Sequence, residues 1–152
     1  MLFPTHVIVA YLVARRLGCS LPWTVLGAVL PDLIDKPLGR VGETDRYHSI
    51  AHSLLSVAIA APWTRRGRAL RSLWLGWATH VGADAAGMAA NGRRPDIAFL
   101  LWPIARERPY AEMPDDLVLP GTASYFASRS FALELALWGL ALVSATDRSE
   151  RA

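Results

Sequence analysis

Four histidines and several acids stand where polar side chains are costly. His6, His48, His52 and His80, together with Asp32, Asp35 and Asp84, all fall inside or at the edges of apolar, helix-like stretches. Imidazole and carboxylate together suit zinc or a similar divalent ion, whereas a chain needing such groups only for solubility would carry them on loops. The strongest local signal is His80-x-x-x-Asp84. It sets two ligand types one helical turn apart, about 6 Å along the axis, so that both face one ion or one orients the other. The competing reading is a His–Asp hydrogen bond that joins two helices. His48-Ser49-Ile50-Ala51-His52 repeats that spacing at the start of a helix. There His52 is the better candidate ligand, and His48 is either a ligand or a solvated cap residue. Pro31-Asp32-Leu33-Ile34-Asp35 ends an apolar stretch with two carboxylates, which either hold a metal through hard oxygens or cap and solvate a loop. His6 opens the first apolar stretch, as a ligand or as a residue of a wet boundary. Glu134, one turn into a later apolar stretch, is a candidate base beside Asp84, a ligand, or the partner of Arg129 or another arginine.

The elements that must position these groups read as helices. Five apolar segments, at residues 3–17, 21–34, 50–64, 69–90 and 130–146, are separated by breaks rich in Gly, Pro and charge. None shows the strict alternation of a half-buried strand, and Ser20-Leu21-Pro22 supplies a cap and an early proline for the second. Residues 91–128 read as loop-rich around one short apolar piece, Ile97 to Ile104. The fold class expected is therefore all-α: a single domain over residues 1–152, a bundle of about five apolar helices. Gly76, Ala78, Gly82, Ala83, Ala85, Ala86 and Gly87 lie within one helical run and read as close helix contacts.

Composition points to a membrane. The chain is 53% hydrophobic and only 19% charged, with a mean hydropathy of +0.25, at or above the edge of ordinary soluble composition. The segment 72–92 is long enough to cross a bilayer and 130–146 nearly so, although His80, Asp84 and Glu134 interrupt them and the first three segments are short. A bundle integrated in the cell (inner) membrane as a multi-pass protein is the expectation, with a soluble bundle of unusually apolar core as the alternative. The net charge of +3 comes from 15 Arg and one Lys spread over several loops, without the basic tail or aromatic stripe that nucleic acid would need. Arg clusters beside apolar segments suit lipid headgroups instead, so a lipid bilayer is the expected partner. Cys19 is the sole cysteine, which excludes an intramolecular disulfide.

Antiparallel threading of consecutive segments collects every candidate ligand at one end of the bundle. The opposite end gathers Arg15, Arg16, Arg65, Arg66, Arg68 and Arg71, flanked by Trp23, Trp63 and Trp74 in the manner of an interfacial belt.

The order of motifs is itself informative. Thr5-His6, Pro31-Asp32 with Asp35, Arg46 followed by His52-Ser53-Leu54, His80 with Asp84, and then Leu101-Trp102-Pro103 resemble the YdjM-like family of membrane-bound metal-dependent hydrolases. The likeness covers about residues 4–104, and the family is distantly similar to helical zinc phospholipases C and single-strand nucleases. It implies that His6, Asp32, Asp35, His52, His80 and Asp84 are metal ligands or their close supports.

The chemistry expected is hydrolysis by a metal-activated water, with zinc as the divalent metal and Asp84 and Glu134 as candidate catalytic groups. Six candidate ligands exceed the three that one catalytic zinc takes from protein, so either two ions share the site or some of the six are supports. Two ions would favour a phosphoester, and a site at a membrane face an amphiphilic one, with Arg46 or Arg129 available for phosphate oxygens. The runner-up is a membrane protein that binds or transports a metal ion without a reaction. A third reading is a structural or regulatory protein whose metal only staples helices.

Overall fold

The computed structural model describes residues 1–42, 48–105 and 125–149, and all regular structure among them is helical. Arg46 and most of the loop-rich stretch expected at 91–128, from residue 106 to 124, lie outside the described residues. Helix α1 spans Phe3–Leu17 and ends at Gly18, whose φ of 63° lets the Cys19 amide turn back to the Ala14 carbonyl at 2.9 Å. Helix α2 spans Leu21–Arg40, six residues longer than the apolar segment read from the sequence. It runs on through Pro31 and Pro37, each of which removes one N–H from the ladder.

The third segment differs most from expectation. Residues 50–64 do not form one helix but a 3-10 turn at Ile50–His52, a short helix α3 at Leu54–Ala60, and a second 3-10 turn at Ala61–Arg66. The cause is local. Ser53 is extended (φ −83°, ψ 146°), and its hydroxyl accepts the Ser56 amide at 3.1 Å, so the helix starts afresh there. Helix α4 spans Arg68–Ala90, the residues Arg94–Leu101 form a 3-10 turn against it, and helix α5 spans Arg129–Ser149.

The long-range contacts fix the direction of each helix. The Ser20 amide donates to Ser72 Oγ at 2.9 Å, and Ala28 meets His80 further on, so α2 and α4 run side by side in the same sense. Leu2 and Thr5 meet Glu134, and Trp138 donates to Thr5, so α1 and α5 run together in the opposite sense. The threading expected from the sequence is thus the one formed.

The α2–α4 contact is close enough to exclude a methyl group. A Cβ built on Gly27 would lie 1.9 Å from the Leu73 carbonyl oxygen, and one on Gly76 would lie 1.9 Å from that of Thr24. Gly87 faces Ser130 Oγ and the Met1 side chain, but Gly82, also expected at a helix contact, faces open space.

What lies inside is small or polar. Among the described residues, five of the nine buried apolar ones are alanines, while Thr5, Thr24, Ser49, Ser53, Ser72, Glu134 and most of the candidate ligands are buried beside them. Large apolar side chains face outward instead: Leu26 and Leu33 on α2, Leu54 and Ile59 on α3, Leu140, Leu142 and Val143 on α5. In a water-soluble fold that distribution leaves the hydrophobic effect little to act on. One helix among the described residues, over Arg129–Thr146, is long and apolar enough to cross a membrane, and only 17% of that window is buried.

Candidate metal centre

The ligand candidates come from several elements, and the backbone does much of the holding. Helix α4 places His80 and Asp84 on one face, one turn apart as their spacing requires. His80 Nδ1 lies 2.6 Å from the Ala28 carbonyl of α2. A carbonyl only accepts, so Nδ1 carries a proton and Nε2 is the nitrogen turned toward the site. The small Gly27–Ala28 pair and Gly76 permit this close approach.

His52 is set the same way from another direction. Its Nδ1 donates to Asp35 Oδ2 at 2.7 Å, and the same carboxylate accepts the amides of Ser49, Ala51 and His52 at 2.7 to 3.2 Å. Asp35 is completely buried and stands behind the imidazole, a support for the ligand on the far side from the point of convergence. Two tryptophans of α4 fasten this stretch, Trp77 to the Ala51 carbonyl at 2.6 Å and Trp74 to that of Val57 at 2.8 Å. Phe99 walls the site, its ring 5.3 Å from that of His48 and 6.2 Å from that of His52.

The two imidazoles then face each other with Nε2 atoms 3.1 Å apart. With both Nδ1 atoms committed elsewhere, the Nε2 atoms are the nitrogens left to face that gap. Two nitrogens sharing a tetrahedral zinc at about 2.0–2.1 Å stand roughly 3.3 Å apart, close to the separation found.

Carboxylates close the rest of the site. Asp84 Oδ2 lies 3.3 Å from His80 Nε2, 3.6 Å from His48 Nε2 and 3.7 Å from His52 Nε2. Its other oxygen lies 3.3 Å from His6 Nε2 and 3.0 Å from the buried α-ammonium of Met1, a cation already drawn to the carboxylate. Asp32 Oδ1 is 3.7 Å from His52 Nε2 and 3.8 Å from His80 Nε2, and its second oxygen accepts from Lys36 at 2.6 Å. Three sets of ligand atoms each lie within 4.8 Å of one another: His6, His80 and Asp84; Asp32, His52 and His80; His48, His52 and Asp84. His6 stacks on His80 with ring centroids 3.8 Å apart, and its Nδ1 is buried without a hydrogen-bond partner. The donor set and the convergence of imidazole nitrogens with carboxylate oxygens fit a divalent cation.

Five of the six residues expected as ligands therefore converge, and His48, left open by the sequence, joins them. At 26% side-chain exposure His48 is the most open member of the cluster. Glu134 is not brought into any of the three sets. Its carboxylate accepts from the Leu2 amide, the Thr5 hydroxyl and the Tyr125 hydroxyl, anchoring α5 to the start of α1. Burial and the neighbouring Glu134 push the Tyr125 hydroxyl up, which keeps it a donor. The Ala28 carbonyl, Lys36, Phe99 and Tyr125 were not singled out from the sequence. Only the Gly27–Ala28 pair of small residues carried a signal for any of them.

The support role of Asp35 has a measurable consequence. Asp35→Asn keeps the size but turns an amide NH₂ or a neutral oxygen toward donors that now meet a carboxylate. Metal affinity is expected to fall about 10–100-fold, read by competition with a chelating dye, and an unchanged affinity would remove Asp35 from the site's machinery.

No family model, no curated protein and no solved structure matches the chain, so the site is read from its own chemistry.

Proposed function

We propose that the chain is a membrane-integrated, metal-dependent hydrolase that acts on a phosphoester or lipid-like substrate. The carrying observation is the pair of facing Nε2 atoms on His52 and His80, 3.1 Å apart and ringed by Asp32 and Asp84. His6, Asp32, His48, His52, His80 and Asp84 would hold one or two divalent ions, zinc by donor type. Such an ion acidifies water and polarises a phosphoryl or carbonyl oxygen.

The protein's own groups do the rest. Asp35 holds the proton on His52 Nδ1 and keeps Nε2 free. Lys36 occupies one oxygen of Asp32 and leaves the other facing the two imidazoles. Asp84 spans the site, its Oδ2 facing His48, His52 and His80 and its Oδ1 facing His6 and the Met1 α-ammonium. His48 marks the open edge for an incoming substrate, and Phe99 keeps water from the flank. The YdjM-like motif order agrees with this reading. Membrane integration is supported by the α5 window and by the placement of polar groups inside and large apolar groups outside, the inverse of what water selects.

The test is metal content of the detergent-purified protein followed by a screen of phosphodiesters and phospholipids with and without chelator. Stoichiometric metal and chelator-sensitive hydrolysis are expected. Bound metal without hydrolysis on any substrate would replace the enzyme reading with metal transport or a metal staple, and a metal-free protein after loading would end all three.

A further inference from the structure

The end of the bundle remote from the metal centre carries a second organised feature. Arg68 donates to the Gly18 carbonyl at 2.9 Å and Ser20 to Ser72 at 2.9 Å, which joins the α1–α2 turn to the start of α4. On the face so formed Arg16, Arg65, Arg66 and Arg71 are exposed, and Trp23 and Trp63 stand exposed beside them. No Asp or Glu occurs in residues 1–31 or 48–83, so the stretches that build this face carry no acid of their own. Arg71 lies thirteen residues before Asp84 on one helix, about 20 Å along its axis, so the face is separate from the metal centre.

We propose that this face is a docking surface for the phosphates of an anionic lipid leaflet. Guanidinium groups bind phosphate oxygens in a forked geometry. Indole rings settle at the headgroup level, where one part of the ring is apolar and another is wet. The inference rests on the membrane part of the reading above and not on its chemistry. Arginines held at the phosphate level would fix the depth of α4 and leave the metal centre toward the opposite side of the bilayer, whose hydrocarbon is about 30 Å thick.

The test uses the full chain in neutral detergent micelles doped with phosphatidylglycerol or with phosphatidylcholine. Phosphatidylglycerol is expected to raise the unfolding temperature by on the order of 5 °C, less at high salt, and phosphatidylcholine to leave it unchanged. The combined variant Arg16→Gln, Arg65→Gln, Arg66→Gln and Arg71→Gln should lose that shift and keep its metal content, while Arg40→Gln at the end of α2 keeps both. An equal shift with phosphatidylcholine, the same shift with inorganic phosphate alone, or a shift retained by the combined variant would overturn the proposal. None of these outcomes touches the metal content or hydrolysis on which the proposed activity stands.

Discussion

Replacing His80 with alanine is expected to abolish stoichiometric metal binding. His80, His52 and Asp84 each belong to two of the three ligand sets, whereas His6, Asp32 and His48 each belong to one. One substitution at His80 thus disturbs both the His6 side and the Asp32 side of the site. Zinc held by four protein ligands contributes about 10–16 kcal/mol in small zinc domains, or roughly 3 kcal/mol per ligand, so one lost ligand costs on the order of 100-fold in affinity. His80→Ala should sit at or beyond that value and His48→Ala well below it, with His52→Ala and Asp84→Ala near the upper end. Metal analysis of the purified variants, with helicity checked by circular dichroism, gives the ranking. If His48→Ala lost more metal than His80→Ala, the arrangement of shared ligands described above would be wrong.

Part of this site was legible before any fold was known, because its spacing is local. His80 and Asp84 are four residues apart on a helix with no break, and that spacing alone sets them on one face. The convergence of His6, Asp32 and His52 on them needed only the assumption that short connections produce antiparallel neighbours. What escaped was whatever depends on irregular backbone or on partners far along the chain. Asp35 looks like a ligand from its position beside Asp32. The irregular stretch at 49–52 turns three amides and one imidazole onto it, and the sequence carries no sign of that stretch. Glu134 likewise looks like a base, until Leu2 and Tyr125 occupy its oxygens from 132 and nine residues away. The third apolar segment misled through its composition. It is apolar throughout, but Ser53 restarts the helix and Pro62 lies in the 3-10 turn that follows.

The interior also explains why the site tolerates so much buried charge. Carboxylates and imidazoles in an apolar bundle need matched hydrogen-bonding groups, and here several of the matches come from the backbone. Asp35 takes three amides, Glu134 takes one, and His80 gives its proton to a carbonyl. Such matches demand fixed helix positions, and small residues at the crossing supply them.

Gly76→Ala, like Gly27→Ala across the same crossing, is accordingly expected to be strongly destabilising. The new Cβ would fall 1.9 Å from the Thr24 carbonyl oxygen and 2.9 Å from the Ala28 amide nitrogen, backbone atoms that no side-chain rotation relieves. Helices α2 and α4 must separate, and the Ala28 carbonyl that holds the His80 proton moves with α2. Overpacking of this kind costs about 3 kcal/mol, seen as a fall of roughly 6–12 °C in unfolding temperature for a chain of this size. Metal affinity should fall in the same variant although no ligand has changed. Gly82→Ala is the control: its Cβ meets nothing within 4 Å on the same helix, so helix propensity alone should stabilise by about 0.5–1 kcal/mol. Thermal unfolding of the two variants side by side decides the matter. Equal effects would mean that the crossing is not as close as described, and a destabilised Gly76→Ala that keeps full metal affinity would separate the helix contact from the site it is argued to hold.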